Sequence, residues 1–205
     1  MNKIPTAAAV VTPLVAAGAI SGAWYWGSPW YTDVGYQPTQ PIPFSHRLHA
    51  GELGMDCRYC HNTVERAAGA AIPPNETCLN CHRVIHAESE KLEPLRESNS
   101  SGQPISWVKV HQLPDYSYFN HRIHVSVGVG CASCHGRIDR MEEVHMAKPL
   151  SMGWCLECHR NPEPNLRPPS EVTNMKFDLA SYDPAADDTR VRQLMPPENC
   201  SGCHR

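Results

Sequence analysis

Aromatic side chains are scarce in this sequence. They make up 7% of its 205 residues, and only three are phenylalanine. Nineteen prolines and 13 glycines interrupt the remainder. Such a chain is poor material for long strands or for one large core built from its own side chains. An excess of either charge is also lacking. The formal net value of −3 is no signal for nucleic acid, and no nucleic-acid partner is expected. Outside one stretch near the N-terminus there is no long apolar run, and no cysteine stands outside a repeated pattern.

That pattern organises the chain. It reads Cys57-Arg58-Tyr59-Cys60-His61, Cys78-Leu79-Asn80-Cys81-His82, Cys131-Ala132-Ser133-Cys134-His135, Cys155-Leu156-Glu157-Cys158-His159 and Cys200-Ser201-Gly202-Cys203-His204. C-x-x-C alone serves zinc sites and redox disulfides as well. Here a histidine follows every second cysteine, which makes it the attachment pattern of a c-type haem. Two thiols add across the two vinyl groups of one porphyrin, and the histidine is placed to bind its iron from the proximal side. Five covalently bound haem c groups are therefore expected, with His61, His82, His135, His159 and His204 as proximal ligands. Their flat apolar faces supply the core that the side chains cannot. The expected fold is mainly α and irregular, with short helices wrapped around a haem stack. Each oxidised haem adds about one negative charge. Arg83, Arg160 and Arg205 directly follow proximal histidines and are candidates to pair with propionates.

Residues 4–26, IPTAAAVVTPLVAAGAISGAWYW, are uncharged and about long enough to cross a bilayer. Lys3 precedes them, and Trp24, Tyr25, Trp26, Trp30 and Tyr31 gather at the far end, as at a membrane interface. Pro13 is expected to kink the helix. The run exceeds a usual signal core and the chain begins at Met1, so an uncleaved single-pass anchor is expected over a signal peptide. No nearby cysteine suggests a lipidated N-terminus.

A weak repeat divides the rest. Phe44-Ser45-His46-Arg47-Leu48-His49 precedes Cys57, and Phe119-Asn120-His121-Arg122-Ile123-His124 precedes Cys131. The expected organisation is an anchor (1–27), a Pro-rich linker (28–43), a half carrying haems 1 and 2 (44–118), a half carrying haems 3 and 4 (119–168) and an arm carrying haem 5 (169–205). Residues 84–97 read as a helix ending in a turn at Ser98–Gly102. The prolines of 160–199 predict an irregular arm over the haems or over a neighbouring subunit.

Irons that only carry electrons need a sixth ligand. Histidines at i and i+3 of a helical turn point the same way but lie several ångströms apart, so one pair can reach two irons. His46, His49, His121 and His124 are the first distal candidates and His111 the fifth. Met141, Met152 and His145 stand in reserve, with Met146 and Met175 also near haem patterns. A His/Met iron would have a higher potential than a bis-His one.

The F-x-H-x-x-H element ahead of C-x-x-C-H resembles the small multihaem cytochromes of the c3 and c7 type. That resemblance implies that His46 serves the haem on Cys57 and Cys60, that His121 serves the haem on Cys131 and Cys134, and that the second histidine of each pair serves another haem. The chain departs from the c3 pattern in lacking its adjacent histidines. The N-terminal span, the five patterns and the stretches WVKVHQLPDYSYFNHRIHVSVGVGCASCHG and PLSMGWCLECHR also resemble the membrane-anchored pentahaem subunit of alternative complex III, a bacterial quinol oxidoreductase. This implies a cytoplasmic-membrane protein with its haem domain on the periplasmic or outer face. It further implies membrane lipid, integral membrane quinol-oxidising subunits, an iron–sulfur subunit and a monohaem cytochrome or soluble acceptor as partners. The expected role is an electron relay without bond-making chemistry of its own. Two rivals are a quinol dehydrogenase of the NapC/NrfH type, with an open haem near the membrane, and a freely diffusing shuttle.

Overall fold

The computed structural model describes residues 4–187 and 194–204, without the side chains of 185 and 187. Arg205, one of the propionate candidates, and Lys3 lie outside the described residues. Among those described there is no strand, only two isolated antiparallel bridges, Ser117 with His204 and Val129 with Leu166. The helical and irregular class expected from composition is what forms.

Helix α1, Ile4–Trp26, contains Pro13 and carries no charged side chain. No residue of it is buried within the chain. At 1.5 Å per residue its 23 residues reach about 34 Å, the thickness of a bilayer's hydrocarbon core. By length and composition it can cross a membrane.

The next segment is not a free linker. After the short α2, Pro29–Thr32, the backbone of Gly35 and Tyr36 brackets Met146, with N–H donors at 2.8 and 3.0 Å. The Gln40 side chain clamps Val108 by two hydrogen bonds, donating to its carbonyl at 2.8 Å and accepting from its N–H at 3.0 Å. An extended path leading away from the membrane was expected. Four prolines stiffen the segment, and the side-chain amides of Gln37 and Gln40 tie it to Glu143 and Val108.

The haem patterns sit on short helices. They are α3 (Cys57–Cys60), the end of α4 (Asn75–His82), α7 (Cys131–His135), α8 (Met152–Arg160) and α9 (Cys200–Cys203). Such short helices need caps, because most of their backbone donors have no partner within the helix. Asp56 caps α3 through Arg58 N–H, Ser151 caps α8 through Trp154 N–H, and Asn199 caps α9 through Gly202 N–H.

A helix was expected at 84–97, with 98–102 as its turn. Instead residues 83–88 form turns, with His86 in left-handed backbone at φ 54°. Helix α5 spans Glu93–Ser101, and Gly102 ends it in the left-handed conformation at φ 70°. Pro94 decides the start: proline is at home in a first turn and excluded from the interior of a helix begun at 84.

The side-chain core is small and divided. Ile42, Leu79 and Leu95 are buried together between α4 and α5, with Trp107 and Ile105 against them. Met141, Met146, Leu166, Arg167 and Val172 are buried farther along. Val172 accepts from Cys131 N–H at 3.0 Å. The packed unit around α7 thus continues past residue 168, where a boundary was expected. Helix α6, His121–Ser126, carries the second histidine pair, and a π-helical turn, Arg47–Glu52, carries the end of the first.

Candidate haem-binding site

The fold gathers the histidines of the repeat against the proximal histidines. The His46 ring faces that of His61 with centroids 6.5 Å apart and planes 2° from parallel. His49 faces His82 at 6.2 Å. His121 faces His135 at 6.4 Å and 11°, and His124 faces His159 at 6.1 Å. A metal–imidazole bond is about 2 Å, and a ring nitrogen lies roughly 1 Å from its ring centre. One iron between two imidazoles therefore requires centroids about 6 Å apart. All four pairs leave that gap.

The same phenylalanine geometry holds both histidine pairs. Phe44 meets His46 edge-on at 4.9 Å and stacks on His49 at 4.3 Å. Phe119 meets His121 edge-on at 4.7 Å and lies over His124 at 4.4 Å. One rigid ring orients two imidazoles toward different proximal partners. The sequence showed Phe44 and Phe119 at equal offsets, yet their role as wedges was missed, since spacing says nothing of what a ring touches.

Backbone carbonyls fix the ring orientations. Nδ1 donates to a carbonyl oxygen in His49 (Ser45, 2.8 Å), His61 (Ala71, 2.9 Å), His82 (Ile85, 2.9 Å), His121 (Ala68, 2.8 Å), His124 (Asn120, 2.8 Å), His159 (Pro197, 2.7 Å) and His204 (Tyr116, 3.1 Å). A carbonyl only accepts, so the proton sits on Nδ1 and Nε2 is free to bind a metal. Burial, then the neighbouring His61 and His49, lower His46 to about 4. Burial first, then His111 and His121, lower His135 to about 3. Rings held neutral in this way suit iron, which binds the unprotonated nitrogen.

The thiols show which patterns adjoin. Burial and then Cys78 raise Cys60. The Cys57 thiol lies beside that of Cys131, the neighbour that is the first cause raising Cys57, ahead of burial. Burial and then Cys158 and Cys155 push Cys134 up to about 12. Burial and then Cys203 raise Cys155.

The remaining candidates lie elsewhere. His111 is set against the back of His135, its Nε2 3.3 Å from His135 Nδ1. His145 neighbours His111. Among the described residues His204 faces no second imidazole; the Tyr116 ring lies 5.7 Å from it. Met141 and Met146 are buried, and Met152 is exposed. Arg160 is paired with Glu198 at 3.1 Å, and Arg83 is exposed. A cation that sequence reading passed over, Arg167, is 4% exposed. It lies over Phe177 at 5.1 Å and donates from one terminal nitrogen to the Asn174 carbonyl at 2.9 Å, while its buried Nε has no partner. It lies near enough to Cys131 to act on that thiol. Nothing in a Pro-rich stretch marks one arginine as buried.

Residues 117–205 match the family model of cytochrome c7 and related cytochrome c. The chain carries a cytochrome c7-like multihaem domain. It is also 28% identical, over 169 residues, to the multihaem cytochrome c subunit of menaquinone reductase from Nitratidesulfovibrio vulgaris; the match covers 82% of this chain and 69% of that protein. C-x-x-C-H helices and F-x-H-x-x-H elements are the two parts that a haem-binding unit requires.

One electrostatic tie joins the site to the C-terminal region. Asp56 caps α3, pairs with Arg58 at 2.9 Å and accepts from Thr173 Oγ1 at 2.8 Å. The hydrogen bond from Arg58 is the main cause that lowers Asp56 from 3.8 to about 2. A carboxylate depressed on folding stabilises the native state above its unfolded value, and that contribution is lost as pH falls through the folded one. Acid titration of the holoprotein, followed by circular dichroism, should therefore show stability falling between about pH 4 and pH 2. Asp56→Asn should flatten that part of the curve, since the amide caps the helix but does not titrate.

Proposed function

We propose that this chain is a five-haem electron relay, held at the membrane by α1, that connects a quinone-linked membrane complex to a periplasmic redox partner. The observation that carries it is the set of four imidazole pairs with centroids 6.1–6.5 Å apart. On this reading His61 and His46 hold haem 1, His82 and His49 haem 2, His135 and His121 haem 3, and His159 and His124 haem 4. Cys57, Cys60, Cys78, Cys81, Cys131, Cys134, Cys155, Cys158, Cys200 and Cys203 form the thioether links. A bound haem c supplies a one-electron iron couple. The protein fixes both axial ligands, excludes other ligands from four irons and spaces the sites. The neighbouring thiols support the order 2–1–3–4–5 along the relay. Haems 1 and 2 share the His46/His49 element, haems 3 and 4 share His121/His124, and the Cys57–Cys131 approach joins the halves.

The partners in this proposal, suggested by the resemblance to alternative complex III, are integral membrane quinol-oxidising subunits, an iron–sulfur subunit and a monohaem cytochrome. The relative from N. vulgaris is named for menaquinone reduction. Saturated irons impose no direction, so both uses fit one relay, and the potentials of the partners choose between them. The haem domain is assigned to the periplasmic face and α1 to an uncleaved anchor.

A second reading has support at one place. His204 faces Tyr116 rather than an imidazole, which leaves haem 5 with a different sixth ligand or an open position, as a quinol dehydrogenase would need. Low-temperature electron paramagnetic resonance of the detergent-purified chain decides. Four low-spin bis-His signals with a low-spin His/Met or otherwise ligated fifth support the relay. A high-spin fifth iron together with quinol oxidation by this chain alone would establish the dehydrogenase instead.

A further inference from the structure

Of the nine histidines placed at the five irons, seven donate Nδ1–H to a backbone carbonyl. His46 Nδ1 is buried without a partner. His135 differs from both, because its Nδ1 meets Nε2 of another imidazole, that of His111, at 3.3 Å with the rings 79° apart. If His135 binds iron through Nε2, its Nδ1 carries the proton. His111 Nε2 must then be the acceptor.

We propose that His111 is a positioning residue for the central haem, an imidazole acceptor that orients His135, makes it a more basic ligand and so lowers the potential of haem 3 below that of its neighbours. This rests on the relay reading. Imidazole nitrogen is a far stronger base than a peptide carbonyl. It therefore draws the Nδ1 proton harder and leaves more charge on the coordinating nitrogen, which favours ferric iron. The bond is part-buried, where a hydrogen bond acts more strongly than in water.

The surroundings hold His111 in place. Gln40 clamps Val108, three residues before it, by two hydrogen bonds. The backbone of Gly35 and Tyr36 brackets Met146, next to His145. The segment that follows α1 thus braces the stretches that carry His111 and His145. Haem 3 is also the link between the two dihaem halves, so its potential governs passage from one half to the other.

The test compares full-length holoprotein with His111→Leu and His111→Gln by spectroelectrochemical titration and electron paramagnetic resonance. His111→Leu is expected to keep five haems and all four bis-His signals. One midpoint should rise, with the ferrous-to-ferric ratio of that haem up about tenfold, or about 59 mV for one electron. His111→Gln, whose amide oxygen can accept, should recover most of the shift. Unmoved midpoints in His111→Leu would overturn the inference and leave the relay intact. Loss of one bis-His signal in His111→Leu would also overturn it, by showing that His111 is itself a ligand. A wild-type protein that lacks five haems would overturn the relay reading first, and this inference with it.

Discussion

Replacing Cys131 and Cys134 together by alanine should leave a chain with four haems in two groups that no longer exchange electrons. Haem content, measured against protein, should fall by one part in five, and the mass by one porphyrin. Rapid reduction at one end should then fill only the haems on that side of the gap. Passage to the other side should slow by more than about 10³-fold, a rise of roughly 4 kcal/mol in the barrier. The reason is geometric. Cys57 and Cys131 are neighbours, and His135 feels the charges of His61 and His46. No other contact of this kind joins the halves among the described thiols. The comparison is Cys200→Ala with Cys203→Ala, which removes one haem at an end. Cys203 neighbours Cys155, so the other four should remain in communication. Equal slowing in both variants would show that the relay is not linear.

The second large effect is expected at Gly128. Its φ is +94°, and a Cβ built there overlaps the carbonyl of Arg167. The two backbones are joined by the N–H of Arg167, which donates to the Gly128 carbonyl at 2.9 Å. Gly128→Ala must therefore bear both the left-handed conformation, about 1–2 kcal/mol, and displacement of the chain that carries buried Leu166 and Arg167. A loss of about 2–4 kcal/mol is expected. For a chain of this length that is a fall of roughly 4–16 °C in Tm. Gly35→Ala is the control: its φ is +91° but no atom lies near the added carbon, so only the conformational part of about 1–2 kcal/mol applies. Thermal denaturation of the two holoproteins, followed at the haem absorbance, separates strain from overlap. Equal shifts would mean that the contact with residue 167 carries no weight.

The short C-x-x-C-H turns were legible in the sequence because each is local. Two thiols and a histidine within five residues form one helical turn, and no distant contact is needed to place them. The helix of residues 4–26 was legible for the same reason, since an uncharged run of that length satisfies its own backbone. The start of α5 was misplaced because Pro94 sits in the first turn of the helix and not inside one begun at 84. The segment 28–43 looked like a spacer because proline spacing reports stiffness and not the two amide contacts of Gln40.

What the sequence alone determined is the number and place of the attachment patterns, the apolar helix and the two F-x-H-x-x-H elements. The tertiary structure alone decided which imidazole faces which. His124 meets a histidine 35 residues away and His111 one 24 residues away, while His204 meets a tyrosine. An i, i+3 spacing says that two side chains leave a turn on one side. What they reach depends on how separate turns pack, and here Phe44, Phe119 and a few backbone carbonyls set that packing.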